Sequence, residues 1–191
     1  MHSTLSIPQV QQRLINVDEY YKMAEHGIIK QNEKVELIYG KIIQMSPNTS
    51  RHAGCVDQII EFLYENKINK NYKIRSQNPI RLNNLSEPEP DISILKYKDK
   101  HYTDYHPIPG EIFVVIEVAL SSLYVDRVIK SLLYAENGIP EYWIINLKDN
   151  VIEYHANPSA EGYQTKKIFT SNQSITSDHL KLSIQVDQLL S

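Results

Sequence analysis

Apolar and polar positions alternate along this chain with two distinct periods, and the switch between periods marks out the elements. Residues 17–26, VDEYYKMAEH, carry a short helical pattern, with Asp18 as a candidate cap and Gly27 as the stop. Residues 35–45, VELIYGKIIQM, alternate on both sides of Tyr39-Gly40, which predicts a β-hairpin closed by a tight turn. Residues 52–66 place Val56, Ile59, Ile60 and Leu63 on one helical stripe. A strand is expected over Lys73–Leu82 and another over Asp91–Leu95, separated by a loop in which Pro88 and Pro90 force extended backbone. The polar stretch 96–110 reads as a surface loop.

The run IFVVIEV (112–118) is continuously apolar up to its carboxylate, the signature of a central strand buried on both faces. A helix is predicted from about Tyr124 to Asn137, capped by Ser121 or Ser122 and stopped by Gly138. EYWIINL (141–147), VIEYHAN (151–157) and YQTKKIFT (163–170) read as strands, and the tail alternates weakly before a short helical turn. Strand, helix and strand over 112–147 make a βαβ unit, and the flanking hairpins make the sheet mixed, so the fold class is α/β with an α+β mixed sheet.

Composition narrows the picture. A length of 191 residues suits one domain, read as an N-terminal arm over 1–16 and a single domain over 17–191. The lone Cys55 allows no internal disulfide and reads as a small buried residue. No signal-peptide pattern and no run of 18 apolar residues occurs, so a cytoplasmic protein without membrane partners is expected. The net charge of −3 argues against a nucleic-acid partner unless a local basic groove lies within the acidic total. The 13 tyrosines mostly sit beside apolar neighbours and read as packing residues, with Tyr142-Trp143 either in the core or at a subunit contact.

Candidate chemistry lies on three elements. Asp91 opens a strand directly after Pro90, Glu117 stands near the end of the buried strand, and Asp126 and Lys130 lie four apart on the following helix. A carboxylate inside IFVVIEV has to be paired or bound to a cation, since burying it alone costs several kcal/mol. A structural Glu117–Lys130 salt bridge is one reading. The other is a Mg²⁺ site (Mn²⁺ being the alternative ion), with Asp91 and Glu117 on adjacent strands as ligands and the carbonyl of Val118 as a third. There the ion would polarise a phosphodiester and activate a water, with Lys130 orienting that water or stabilising developing charge.

These stretches resemble a known family. VELIYGKIIQMSP (35–47), EPDIS (89–93), VVIEV (114–118), DRVIKSLLY (126–134) and NGIPEYWIINL (137–147) are similar, in order and spacing, to the Uma-type putative restriction endonucleases of the PD-(D/E)XK nuclease superfamily. The resemblance implies a restriction-endonuclease-like core with flanking helices and an N-terminal hairpin. It also implies Mg²⁺ at Asp91 and Glu117, DNA as substrate, and a homodimer for cutting two strands. Glu36 matches a family acid on the first hairpin, and Lys130 matches a lysine moved from the strand onto the helix. The usual superfamily lysine position, two after the Glu, is Ala119 here, and Leu120 stands where relatives tend to carry an acid.

Smaller candidates stay open at the level of sequence. Glu36 reads as a ligand, an outer acid or a surface strand residue. His52 reads first as a surface histidine at a helix start, Gln77 as a strand residue facing either the site or solvent, and Asp126 as a helix-surface partner for Lys130 or Arg127. His101, His106 and His155 lack zinc spacing, and no nucleotide-loop or serine-nucleophile motif occurs. Two readings follow: a Mg²⁺-dependent endonuclease, or a catalytically silent module that keeps the fold for binding or scaffolding. A hydrolase of another phosphodiester is a third.

Overall fold

A computed structural model describes residues 12–190. Of the arm expected over 1–16, residues 1–11 lie outside the described residues. The next residues pack down: the N–H of Ile15 donates to the carbonyl of Gly40 (2.9 Å).

The first helix, α1, spans Val17–Glu25. Its cap is Asn16 rather than Asp18. Asn16 and Glu19 form a reciprocal capping box, and Asp18 lies in the first turn, within 3.4 Å of Arg81. The predicted hairpin forms from β1 (Val35–Ile38) and β2 (Lys41–Gln44). Its turn puts both Tyr39 (φ 51°) and Gly40 (φ 70°) in the left-handed region, as a two-residue hairpin turn requires. The second helix, α2 (Ser50–Glu65), is capped by Thr49 and buries Cys55, Val56, Ile59, Phe62 and Leu63.

The main sheet has six strands: β3 (Tyr72–Ser76), β4 (Ile92–Lys96), β5 (Ile112–Ala119), β6 (Glu141–Asn146), β7 (Val151–Ser159) and β8 (Gly162–Phe169), in that spatial order. β5 and β6 are parallel and the other pairs antiparallel. β3 ends well before Leu82, because Gln77 turns into the left-handed region (φ 51°) ahead of Asn78 and Pro79. The crossover from β5 to β6 begins with a π-helical segment, Val125–Lys130, and continues as α3 (Ser131–Glu136), which Gly138 (φ 74°) follows. Ser122 does not cap it through an N–H; its hydroxyl donates to the Asp126 carboxylate instead (2.6 Å). A small hairpin, β9 (Ser174–Ser177) and β10 (Leu182–Gln185), and a short 3₁₀ turn complete the described chain.

Both faces of the sheet are covered, which explains the unbroken apolar run of β5. Val114, Ile116 and Val118 pack toward α2 and the β9–β10 hairpin. Val115 and Ala119 face α3 and the β1–β2 hairpin, among Tyr134, Tyr142, Ile144 and Ile38. Tyr142 and Trp143 are both fully buried, so neither is a surface contact. The C-terminal hairpin is tied to the sheet through Glu141, which accepts from the Ser177 hydroxyl and the Trp143 indole.

Candidate functional site

Glu117 shares the inward face of Val115 and Ala119, so the strand that buries it also aims it at the crossover helix. The helix folds back over the strand ends and delivers Lys130, whose Nζ donates to Glu117 Oε1 (3.0 Å) and lies 3.1 Å from Glu36 Oε2. All three are buried. The Tyr134 hydroxyl donates to the same Glu117 oxygen (2.9 Å). Glu36 is therefore neither solvent-facing nor distant: β1 carries it into the cluster, where it also accepts from the Glu89 N–H (3.1 Å).

Asp91 stands where β4 meets β5. The ladder between them begins at Ile92↔Ile116, which leaves the Val118 N–H beyond it, and Asp91 Oδ2 accepts that N–H (2.9 Å). The Asp91 N–H donates to Glu117 Oε2 (3.3 Å), so the two acids are linked directly. Pro90, which has no N–H to donate, stands outside the ladder immediately before this corner. His52, expected at the surface, is mostly buried, with Nε2 3.0 Å from Asp91 Oδ2. Gln77 faces the same acid, donating to Oδ1 at 3.4 Å.

Asp126 departs from its expected helix-surface pairing. It is buried and held by Ser122, while Arg127 pairs with Glu153 on β7 and Asp149 in the β6–β7 turn. The π-helical geometry explains the difference. Its wider turn brings Asp126 and Lys130 inward together, and such segments recur at functional sites. One cleft results, lined by Glu36, His52, Glu89, Asp91, Glu117, Val118, Ser122, Asp126 and Lys130 among others.

Crowded carboxylates dominate its electrostatics. Burial pushes the Glu117 carboxyl up to about 8; Lys130 opposes the shift, and Asp126, Asp91 and Glu36 add to it. Burial likewise raises Asp126 to about 6, against Lys130 and the Ser122 hydroxyl. Burial alone would lower Lys130, but Glu117, Glu36 and Asp126 reverse this and hold the ammonium charged. The hydrogen bond that His52 donates to the Asp91 carboxylate raises its pKa. Desolvation and the nearby Glu36 raise Glu89.

Four expected residues, Glu36, Asp91, Glu117 and Lys130, thus meet in one place. Sequence reading passed over Tyr134 and Glu89 and undervalued His52. Tyr134 had a visible signal, since Asp126, Lys130 and Tyr134 recur at intervals of four. Among the described residues no group of three or more His, Cys, Asp or Glu forms a metal cage by itself. The hard oxygens at the corner amount to two carboxylates and backbone.

The architecture is a mixed sheet with a parallel central pair, acids at the strand ends and a lysine brought over them. The same fold occurs in a crystal structure described as a putative nuclease belonging to DUF820 from Anabaena variabilis, at 16% identity and a TM-score of 0.73, covering 92% of this chain and 97% of that one. The family model described as "Putative restriction endonuclease" (Uma2) matches residues 17–187, and the chain belongs to that family. No curated protein matches it in sequence. Among the described residues no helix is long and apolar enough to cross a membrane.

Proposed function

We propose that this protein is a Mg²⁺-dependent endonuclease that hydrolyses phosphodiester bonds of DNA in the cytoplasm. The observation that carries this reading is the convergence of Asp91, Glu117 and Lys130 in one cleft, with Asp91 and Glu117 hydrogen-bonded to each other. Asp91 and Glu117 would hold the ion. The Val118 carbonyl would join them, because the N–H and C=O of one strand residue face the same edge and its N–H faces Asp91. The donor set fits: hard oxygens, two of them carboxylate, with water and substrate phosphate filling the remaining positions, is how Mg²⁺ is usually held. Bound there, Mg²⁺ (or Mn²⁺) supplies Lewis-acid polarisation of the phosphodiester and a water of lowered pKa.

The chain's own residues do the rest. Lys130 holds a positive charge at the acid cluster and donates toward charge developing on the phosphoryl oxygens or the attacking water. Glu36 and Glu117 fix the Lys130 ammonium between them. Tyr134 and His52 hold Glu117 and Asp91 in orientation. In the crossover helix, Tyr124, Val128 and Leu132 expose an apolar stripe, which supports a homodimer able to cut both strands. Sedimentation of wild type against Val128→Glu/Leu132→Glu tests that part, with the variant expected to be monomeric.

Supercoiled plasmid and single-stranded DNA, incubated with and without Mg²⁺ or Mn²⁺, test the activity. Cleavage should require the ion and vanish in Asp91→Ala. Equal cleavage by the two proteins would sink the reading. A silent binding or scaffolding module is the second reading. It is favoured by the way Glu117 is already paired to Lys130 and by Leu120 at the cleft. Calorimetry separates the two: Mn²⁺ binding that is lost in Glu117→Ala argues against the silent module.

A further inference from the structure

We propose that a second groove, at the opposite end of the sheet from Asp91, binds single-stranded nucleic acid through lysines and the exposed ring of Tyr97. The groove lies where the end of α2 meets the starts of β3 and β5, the end of β4 and the β9–β10 turn. Lys67, Lys96, Lys181, Tyr72, Tyr97 and Phe113 line it, and no carboxylate does. All three lysines are exposed, and none forms an ion pair among the described residues. Tyr97 is 46% exposed, and Lys73 Nζ sits 4.0 Å from its ring centre, so a cation already backs the ring. Tyr72 and Phe113 pack edge to face beside it, a rigid apolar wall.

Charge identifies the occupant. The catalytic-type cleft gathers five carboxylates, Glu36, Glu89, Asp91, Glu117 and Asp126, against Lys130. That cluster more than accounts for the net charge of −3, so the remainder of the chain is not acidic. An acid-free groove with three unpaired lysines is the local basic surface that a polyanion needs. Lysines track a phosphate backbone, and rings with an open face stack unpaired bases, a combination that suits a single strand better than a closed duplex. β4 alone separates Lys96 from Asp91, by about 17 Å at ~3.3 Å per residue. The groove therefore holds a segment of strand away from the scissile bond. That role rests on the nuclease reading, but binding itself does not.

Fluorescence anisotropy with a labelled oligothymidylate and a duplex of equal length, in EDTA, tests the inference on the full chain. The single strand should bind, more tightly than the duplex. In Lys67→Ala/Lys96→Ala/Lys181→Ala the slope of log affinity against log salt should shrink by about 2, three phosphate contacts at ~0.7 each. Tyr97→Ala should weaken binding roughly five- to hundredfold, the worth of one stacked base, and Tyr97→Phe should restore it. Unchanged unfolding midpoints in urea show that each variant is folded. Binding unaltered in the lysine variant, or tighter duplex than single-strand binding, overturns the proposal. If wild type binds through these lysines but never cleaves with Mn²⁺, the nuclease reading falls and this inference stands. If cleavage depends on Asp91 while the lysine variant binds like wild type, the reverse holds.

Discussion

At the scale of single residues, Lys130 and Glu117 define each other. Lys130 is paired with two buried acids, Glu36 and Glu117, so Lys130→Met should cost about 3 kcal/mol in urea denaturation at pH 8, the penalty for leaving a buried charge unpaired. Its cleavage rate should fall about 10²–10³-fold. Glu117→Gln is the informative contrast. It keeps the shape and removes the charge, so it should match or exceed wild-type stability at pH 8 while losing activity. Proton linkage gives the sign. Glu117, raised to about 8, and Asp126, raised to about 6, bind protons in the folded state at pH values where the unfolded chain has released them. Their contribution is full below about pH 4, near the ordinary carboxyl values, and is lost as pH rises through 6 and then 8. Urea midpoints should therefore decline between pH 5 and 8, and Glu117→Gln should flatten the upper part of that decline.

Among the elements, those with strong periodicity were legible: the first hairpin, α2, β5 and the crossover to β6. Their boundaries failed where a local bond competed with the pattern. Asn16 took the cap from Asp18 because Glu19 could answer it. β3 stopped at Ser76 because Gln77 leaves the extended region. The π-helical segment could not be read at all, since apolar spacing does not separate a four-residue return from a slightly wider turn. Asp91, Glu117, Lys130 and Glu36 were legible because charged residues inside apolar patterns need an account. His52 was not, because its burial depends on α2 lying over the start of β4. Gly40 supplies an element-scale prediction. A Cβ there would stand 2.6 Å from the Leu14 Cβ and 3.2 Å from the Ile15 backbone, on left-handed backbone. Gly40→Ala should destabilise by about 1–3 kcal/mol, read from chemical denaturation.

For the whole molecule, a metal that binds only the folded chain adds stability by mass action. Mn²⁺ at 100 times its Kd contributes about 2.7 kcal/mol. At roughly 2–4 °C per kcal/mol for a domain of this size, the thermal midpoint should rise by several degrees. EDTA should reverse the rise, and Asp91→Ala should not show it.

The parallel pairing of β5 with β6 also dictates when the cleft can exist. Glu117 leaves the ribosome well before the strand and helix that shelter and neutralise it, and a parallel neighbour cannot dock until its crossover is complete. Until then Glu36 and Glu117 have no Lys130 to pair with. They become a site only once Lys130 and β6 have emerged, so a growing or truncated chain has no assembled cleft.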